Sequence, residues 1–528
     1  MTLLSRQRVA LLLVLAVTTA LYLYGLDRAP VYVGGDEAHF ADGGYTIAKS
    51  GRNVNGDRFP LFFNLADPLG DPVKMPWGDT WYHPMLFYLI AAVLKIGSFT
   101  DATVRLPTAL IGGLLTPWLV YLAARRMRFG FSGALAAAIC IALTPAHFIM
   151  SRQALDYTLV LPFAAAWVWL LADYLDLRRV RSALALGIVL GIGCFSYIAS
   201  WGVMPFLLAM SWLAFWRSGA GWPRAVLASG AGFAPAPIVL MVWLSYHPTV
   251  APDTIQRYRV LETHRAPSDQ GRLANLAAAI PGYRSYFGWR FLFRVGAPNI
   301  TMSTGLAGVF LLPVAVLFPV GLIALASRRD PIPSWPIVAG LVFAPMPAAM
   351  SGHAEAIQRA LLMLPMVSLV VGAGFGALWR SQVPWFRAGA LAAVAAAPLQ
   401  LAPFIEDYFT LHRQRSAFYF DSVAFDGVTE HITRIDRVPA VFLRRNLDSG
   451  GARWRYHVTK AGRQDLLAKT FYFSDIGEAA VAPAGSLLVM YVEGTVIPLL
   501  TAGGAWEVEA IVRDVDEREA AAILRKLR

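Results

Sequence analysis

The sequence predicts an all-α polytopic membrane protein, with about eleven transmembrane helices and a small soluble α/β domain at its C-terminal end. Three observations carry this expectation. Of 528 residues, 57% are hydrophobic and only 15% are charged, against about 25% charged in an ordinary soluble domain. So much apolar surface on so few charges belongs in a bilayer. Apolar runs recur at lengths suited to crossing one. The basic excess, 46 Lys+Arg against 34 Asp+Glu for a net +12, is gathered in short arginine clusters between those runs. That is the charge asymmetry of membrane topology rather than of nucleic-acid binding, and no nucleic-acid partner is expected.

Arg6 and Arg8 precede the first run, Val9–Leu26. It lacks a small-residue cleavage site before Asp27, so it reads as a retained helix rather than a secretory signal. Further spans are expected at Val104–Ala124, Phe131–Met150, Tyr157–Ala172, Ser182–Tyr197, Trp201–Trp216 and Ala225–Tyr246. Four more follow at Gly305–Ala326, Trp335–Met350, Ala360–Trp379 and Ala388–Phe404. Several are shorter than a full crossing, which suits tilted or broken helices. If the spans alternate, the clusters Arg125/Arg126/Arg128, Arg178/Arg179/Arg181, Arg217/Arg224, Arg328/Arg329 and Arg380/Arg387 share one side with Arg6 and Arg8. The positive-inside rule makes that side cytoplasmic. The expected location is therefore the bacterial cytoplasmic (inner) membrane, with the N-terminus inside and the C-terminal domain outside.

The long connections then fall outside. The membrane domain is expected over 1–404, with a first outer loop at 27–103 and a second at 247–304, and the extracytoplasmic domain over 405–528. The first loop is rich in acids, among them Asp36, Glu37, Asp42, Asp67, Asp71, Asp79 and Asp101. Its apolar stretch Pro84–Gly97 is too short to cross and reads as an interfacial helix. After residue 404 the pattern predicts helix over 426–437, a strand at Ala440–Arg444 and helix over Arg453–Lys469. Strands at Ser486–Tyr491 and Trp506–Arg513 and a closing helix at Asp516–Lys526 complete the α/β reading. That domain shows neither a Gly-rich phosphate loop nor a catalytic signature.

Four constellations could carry chemistry, and each has a plainer structural reading. Asp36-Glu37 follows the first span, and adjacent acids on a helix point about 100° apart and so serve two partners. One could act as a general base and the other orient a substrate; the plain reading is a solvated acidic turn or a helix start satisfied by carboxylates. Arg152 and Asp156 are spaced i, i+4 at the outer end of the third span. They could pair on one helix face, or place Asp156 in the outer cavity with Asp36 and offer Arg152 to an anion. The run Arg284–Arg294, RSYFGWRFLFR, suits a headgroup interface or, through Arg290 and Arg294, a lipid phosphate. His353, Glu355 and Arg359 stand at the outer mouth of a late span, again with an i, i+4 acid–base pair. His39, His83, His247 and His353 all lie on the outer side without tight metal-ligand spacing, so no metal is assigned and no cofactor is required. Cys140 and Cys194 lie inside apolar runs as small core hydrophobes.

The order of these motifs resembles the GT-C superfamily, the membrane glycosyltransferases that include protein O-mannosyltransferases and lipid A aminoarabinose transferases. The features that carry it are an early span, Asp36-Glu37-Ala38, Tyr82-His83-Pro84 before an apolar helix, and RLPTALIGG over Arg105–Gly113. A proline-led segment closing at Ser151-Arg152, WRFLFRVG at Trp289–Gly296 and HAEAIQRALLMLP from His353 complete it. The resemblance implies a sugar moved from a polyprenyl-phosphate donor to an acceptor hydroxyl on a lipid, glycan or protein, with inversion. It points to Asp36 as the base with Glu37 and Asp156 in support. Arg152, His83, Tyr82, Arg290, Arg294, His353 and Arg359 are then substrate ligands. Here Asp-Tyr-Thr stands at 156–158 where many members carry Asp-Pro or Asp-Ala. Two other classes share the many spans, a transporter or flippase of lipid-linked sugars and a membrane-anchored envelope assembly factor. A transporter would carry charge in mid-span, whereas here the span interiors are nearly free of it.

Overall fold

The computed structural model describes residues 3–64, 81–219, 221–258, 279–330, 332–447, 451–492 and 496–528. Asp67, Asp71 and Asp79 of the first outer loop lie outside the described residues. Every run expected to cross the membrane is helical over most of its length, although the run from Gly305 becomes helical only at Leu312. Six helices among the described residues are long and apolar enough to span: Ser5–Leu23, Asp101–Arg126, Asp156–Leu177, Trp222–Tyr246, Met363–Arg380 and Pro384–Phe409. The pair Gly130–Ala142 and Pro145–Ser151 makes a seventh when counted as one broken span, bent by 57° where Pro145 cannot supply an N–H to the helical ladder. Val180–Gly193, Ser200–Arg217, Leu312–Ala326 and Trp335–Met350 occupy the remaining expected spans but fall short of that length or hydropathy. The helix Pro84–Leu94 has 11 residues, or roughly 16 Å at 1.5 Å per residue, which agrees with an interfacial element.

The chain divides into two compact units. One comprises Met1–Tyr24, Thr80–Leu86 and Leu106–Glu406; the other comprises Gly25–Asp79, Phe87–Arg105 and Asp407–Arg528. Compactness thus cuts across the linear boundary expected at 404/405, because most of the first outer loop folds with the C-terminal segment.

In the first unit, helix contacts are made through small residues. The span Asp101–Arg126 carries a π-helical stretch at Ile111–Leu115. A Cβ on its Gly112 would lie 2.3 Å from Ser151 Cβ, and one on Gly113 would lie 2.8 Å from Tyr22 Cβ. Only glycine permits this approach. Tyr22, fully buried, donates to the Ala142 carbonyl at 2.9 Å and Thr18 to the Gly113 carbonyl at 2.7 Å. At the expected cytoplasmic end Arg126 pairs with Asp173, and Arg128 with Asp176 and Asp330. Arg328 joins Asp330 and the Met127 carbonyl. These acids neutralise part of the arginine cluster where several helices end.

The second unit holds a five-stranded sheet of β1 (Val441–Arg444), β2 (Thr470–Phe473), β3 (Leu487–Tyr491), β4 (Trp506–Arg513) and β5 (Glu519–Lys526). Its order is β2-β1-β3-β5-β4. β1 runs parallel to β2 and β3, while β5 is antiparallel to both β3 and β4. The closing helix expected at Asp516–Lys526 is therefore corrected to a strand, and β2, which the pattern did not predict, follows directly on the segment expected to be helical. The alanines of EAAAILRK favour helix locally. However, Ala521 and Ile523 enter one core, and Ala522 and Leu524 the other. Alternate residues reach opposite faces only in a strand, and burial on both faces outweighs the local preference.

Candidate active site

In the second unit the loop expected outside forms the helix Gly35–Ser50, with Asp36 and Glu37 in its first turn. Carboxylates are favoured there by the exposed N–H groups and the dipole. The two neighbours have different fates. Asp36 is exposed. Glu37 is 2% exposed and meets Arg105, itself wholly buried, through Nε–Oε1 at 2.8 Å and Nη2–Oε2 at 3.1 Å. Arg105 also donates to the carbonyls of Leu26, Pro30 and Tyr32, at 2.9, 2.9 and 2.8 Å. The Gly34 N–H reaches Glu37 Oε2 at 3.4 Å. One guanidinium thus ties the chain before the helix to its first turn, and Glu37 holds the helix start while Asp36 faces outward.

A second buried ion pair grips the same helix. Arg455 Nε donates to Asp42 Oδ2 at 2.8 Å, with both side chains under 10% exposed. Arg455 lies on the helix Ala452–Lys460. From that helix Lys460 also reaches Asp101 at 2.8 Å and Asp426 at 3.2 Å, His457 reaches Asp426 at 2.9 Å, and Tyr456 donates to Asp101. Hydrogen bonds from His457 and Lys460, with the Lys460 charge, hold the half-buried Asp426 carboxyl well below the usual range. Sequence reasoning passed over Asp42, Arg105 and Arg455 as site residues. Arg105 stands in the sequence as the start of the RLPTALIGG motif, and RWRYH reads as an ordinary helix. The available signal was the clustering of Arg453, Arg455 and Lys460 on one short helix.

The first unit holds the other expected residues. The helix Pro145–Ser151 ends before Arg152, and a 3₁₀ turn begins at Asp156, so the expected i, i+4 face between them does not form. Arg152 is wholly buried, donates to the Tyr22 carbonyl at 2.8 Å and stacks 5.2 Å from the Phe148 ring. It has a structural partner rather than the open outer position expected of an anion ligand. Asp156, 5% exposed, begins the helix that continues to Leu177, and its turn packs on the turn Ile357–Arg359.

Near that turn Arg359 Nη1 donates to Ser351 Oγ at 3.0 Å and lies 3.2 Å from His353 Nδ1. Glu355 has φ +55°, a left-handed conformation that breaks the helix face expected to join it to Arg359. Tyr286, fully buried, donates to the His353 carbonyl at 3.0 Å and accepts from the Ala356 N–H at 2.9 Å. Burial raises its phenol above the ordinary value. The segment holding Tyr286 continues into a π-helical turn, Arg290–Arg294, in which Phe291 is buried and both arginines are exposed. Tyr286, His353 and Arg359 therefore gather, with the Arg290–Arg294 turn on the same segment as Tyr286. His83 is 2% exposed, 5.3 Å from the Trp201 ring, and burial lowers its imidazole to about 3. Tyr82, beside it, is half-buried. Among the described residues no three His, Cys, Asp or Glu side chains gather to hold a metal ion.

The model of the dolichyl-phosphate-mannose-protein mannosyltransferase family matches residues 79–246. No curated protein matches the sequence. The crystal structure of ArnT from Cupriavidus metallidurans in the apo state is similar at 14% identity and TM-score 0.58, covering 97% of each chain. The structure of the same protein bound to undecaprenyl phosphate is similar at 14% identity and TM-score 0.56, again over 97% of both. This multi-pass membrane chain has the fold of the GT-C membrane glycosyltransferases, and residues 79–246 carry the mannosyltransferase family's sequence pattern within it.

Proposed function

We propose that the protein transfers a sugar from a polyprenyl-phosphate donor to an acceptor hydroxyl on the outer face of the cytoplasmic membrane, with inversion and with Asp36 as general base. The observation that carries this reading is the division of labour in one helix turn. Glu37 is locked to a buried guanidinium, whereas its neighbour Asp36 is exposed on the rigid first turn. The acceptor oxygen attacks the anomeric carbon and the bond from that carbon to the phosphate oxygen breaks. The proton passes to the Asp36 carboxylate, and the bonding pair leaves with the polyprenyl phosphate. Cations facing the departing phosphate stabilise its charge. Arg290 and Arg294, exposed on one turn, supply guanidiniums matched to phosphate oxygens, with Arg359 and His353 on the adjoining segment. Asp156 shapes its part of the site from the start of its helix. Tyr82 and His83 are substrate ligands on this reading, as their motif before the apolar helix implies. The related fold of ArnT, crystallised with undecaprenyl phosphate, supports the donor class.

Envelope lipids and glycans of a deletion strain, analysed by mass spectrometry after complementation, test this. Wild type restores a glycosylated species. Asp36→Asn keeps the size of the side chain but removes the basic oxygen, so product formation falls by about 10²–10⁴-fold. Normal product from folded Asp36→Asn removes Asp36 as the base.

A further inference from the structure

The C-terminal segment carries no catalytic signature of its own, yet its most cationic helix spends its side chains on the helix that bears Asp36. Arg455 reaches Asp42 inside the second unit, at 2.8 Å and away from water. Arg453, on the same helix, lays its guanidinium against Gly35, 3.4 Å from where a Cβ would stand, and donates to the Phe420 carbonyl at 3.1 Å. Of the three acids on Gly35–Ser50, two are consumed in buried ion pairs, Glu37 with Arg105 and Asp42 with Arg455. Five residues separate these acids, so their side chains leave the helix about 140° apart at 100° per residue. Two guanidiniums pulling on different faces fix both the tilt and the rotation of a helix, which one could not.

We infer that Arg455 is a positioning residue for transfer, and that the C-terminal segment serves the reaction by holding Asp42 so that the helix start presents Asp36 in one orientation. This rests on the reading of Asp36 as the base. The inference gives the segment a catalytic consequence without contact between its residues and substrate. A general base works only within hydrogen-bond reach of the proton it removes, so a helix free to rotate lowers the rate at saturation more than it weakens donor capture.

The test uses the full chain in lipid nanodiscs. Hydrogen exchange of residues 35–50 is measured for wild type, Arg455→Ala, Arg455→Lys and Asp42→Asn, with Arg513→Ala, at an exposed pair with Glu519, as control. In parallel, transfer is followed with extracts of deletion-strain membranes supplying donor and acceptor, over a dilution series that yields a plateau rate and a half-saturating amount. Arg455→Ala is expected to speed exchange in residues 35–50 about tenfold while β3 keeps its protection. The plateau rate should fall about 10- to 100-fold, a misplacement effect, with half-saturation little changed. Arg455→Lys, which keeps the charge, should recover part of both, and Arg513→Ala should match wild type. Unchanged exchange in residues 35–50, or a loss seen only as a raised half-saturating amount, overturns the inference. If Arg455→Ala does not accumulate, Arg455→Lys and Asp42→Asn decide the same two quantities. A wild-type protein that transfers nothing refutes the glycosyltransferase reading, while the exchange measurement still decides whether Arg455 holds the helix.

Discussion

Replacing Arg105 by methionine should be the most damaging single change in the second unit. Methionine fills a similar volume but removes a guanidinium that makes two contacts with Glu37 and donates to three backbone carbonyls. Glu37, 2% exposed, is left as a buried carboxylate without its countercharge, and breaking a buried pair in this way costs about 3–5 kcal/mol. The carbonyls of Leu26, Pro30 and Tyr32 each lose a charged donor, at about 1–3 kcal/mol apiece where water does not replace it. Even with partial rescue by water, the total approaches the whole stability of a typical domain, about 5–15 kcal/mol. Glu37→Gln should cost less, because Arg105 keeps its three carbonyl partners. The double variant Arg105→Met/Glu37→Met should be less damaging than Arg105→Met alone, because no charge is stranded. Thermal unfolding in nanodiscs, with hydrogen exchange over residues 26–50, measures all three. A melting temperature for Arg105→Met within a degree of wild type, or a double variant no more stable than Arg105→Met alone, would refute the reasoning.

Gly112→Ala places a methyl 2.3 Å from Ser151 Cβ and 2.9 Å from the Tyr22 ring, so overpacking should lower stability by about 1–3 kcal/mol. Leu114→Ala, at an exposed position of the same turn, should show much less in the same melting assay. His83 titrates near 6.5 when unfolded and near 3 when buried. Its contribution is therefore full above the unfolded value, and stability should decline as pH falls from 6.5 toward 3, where the unfolded chain takes up the proton first. The decline should be shallower in His83→Gln, read as melting temperature against pH; identical slopes would remove His83 from the account. Arg290→Lys and Arg294→Lys keep the charge but lose the planar fork, so each should weaken undecaprenyl phosphate binding by about 1.5 kcal/mol, roughly tenfold, if it makes a charged bidentate contact. Binding equal to wild type in both would move the phosphate elsewhere.

The membrane-spanning helices were legible in the sequence because their cause is local. A run of apolar residues long enough to cross a bilayer has to satisfy its own backbone hydrogen bonds, and every expected run is helical over most of its length. The strands β1, β3 and β4 were legible for a related reason, since short β-branched and aromatic runs suit a half-buried sheet. β5 was not, because Ala521, Ala522, Ile523 and Leu524 are ambiguous until strands lie on both sides and cores on both faces. The same contrast runs through the site. Asp36-Glu37 after the first span was visible as a motif, but which carboxylate is locked and which is exposed depends on Arg105, 68 residues away. The partner of Asp42 lies 413 residues away. The i, i+4 pairs expected at Arg152–Asp156 and Glu355–Arg359 assumed an unbroken helix, and the chain turns at both places. Local pattern determined the apolar helices and the strands β1, β3 and β4. The pairing of buried charges is decided only by the tertiary fold, because removing a charge from water is tolerable only where a partner arrives from elsewhere in the chain.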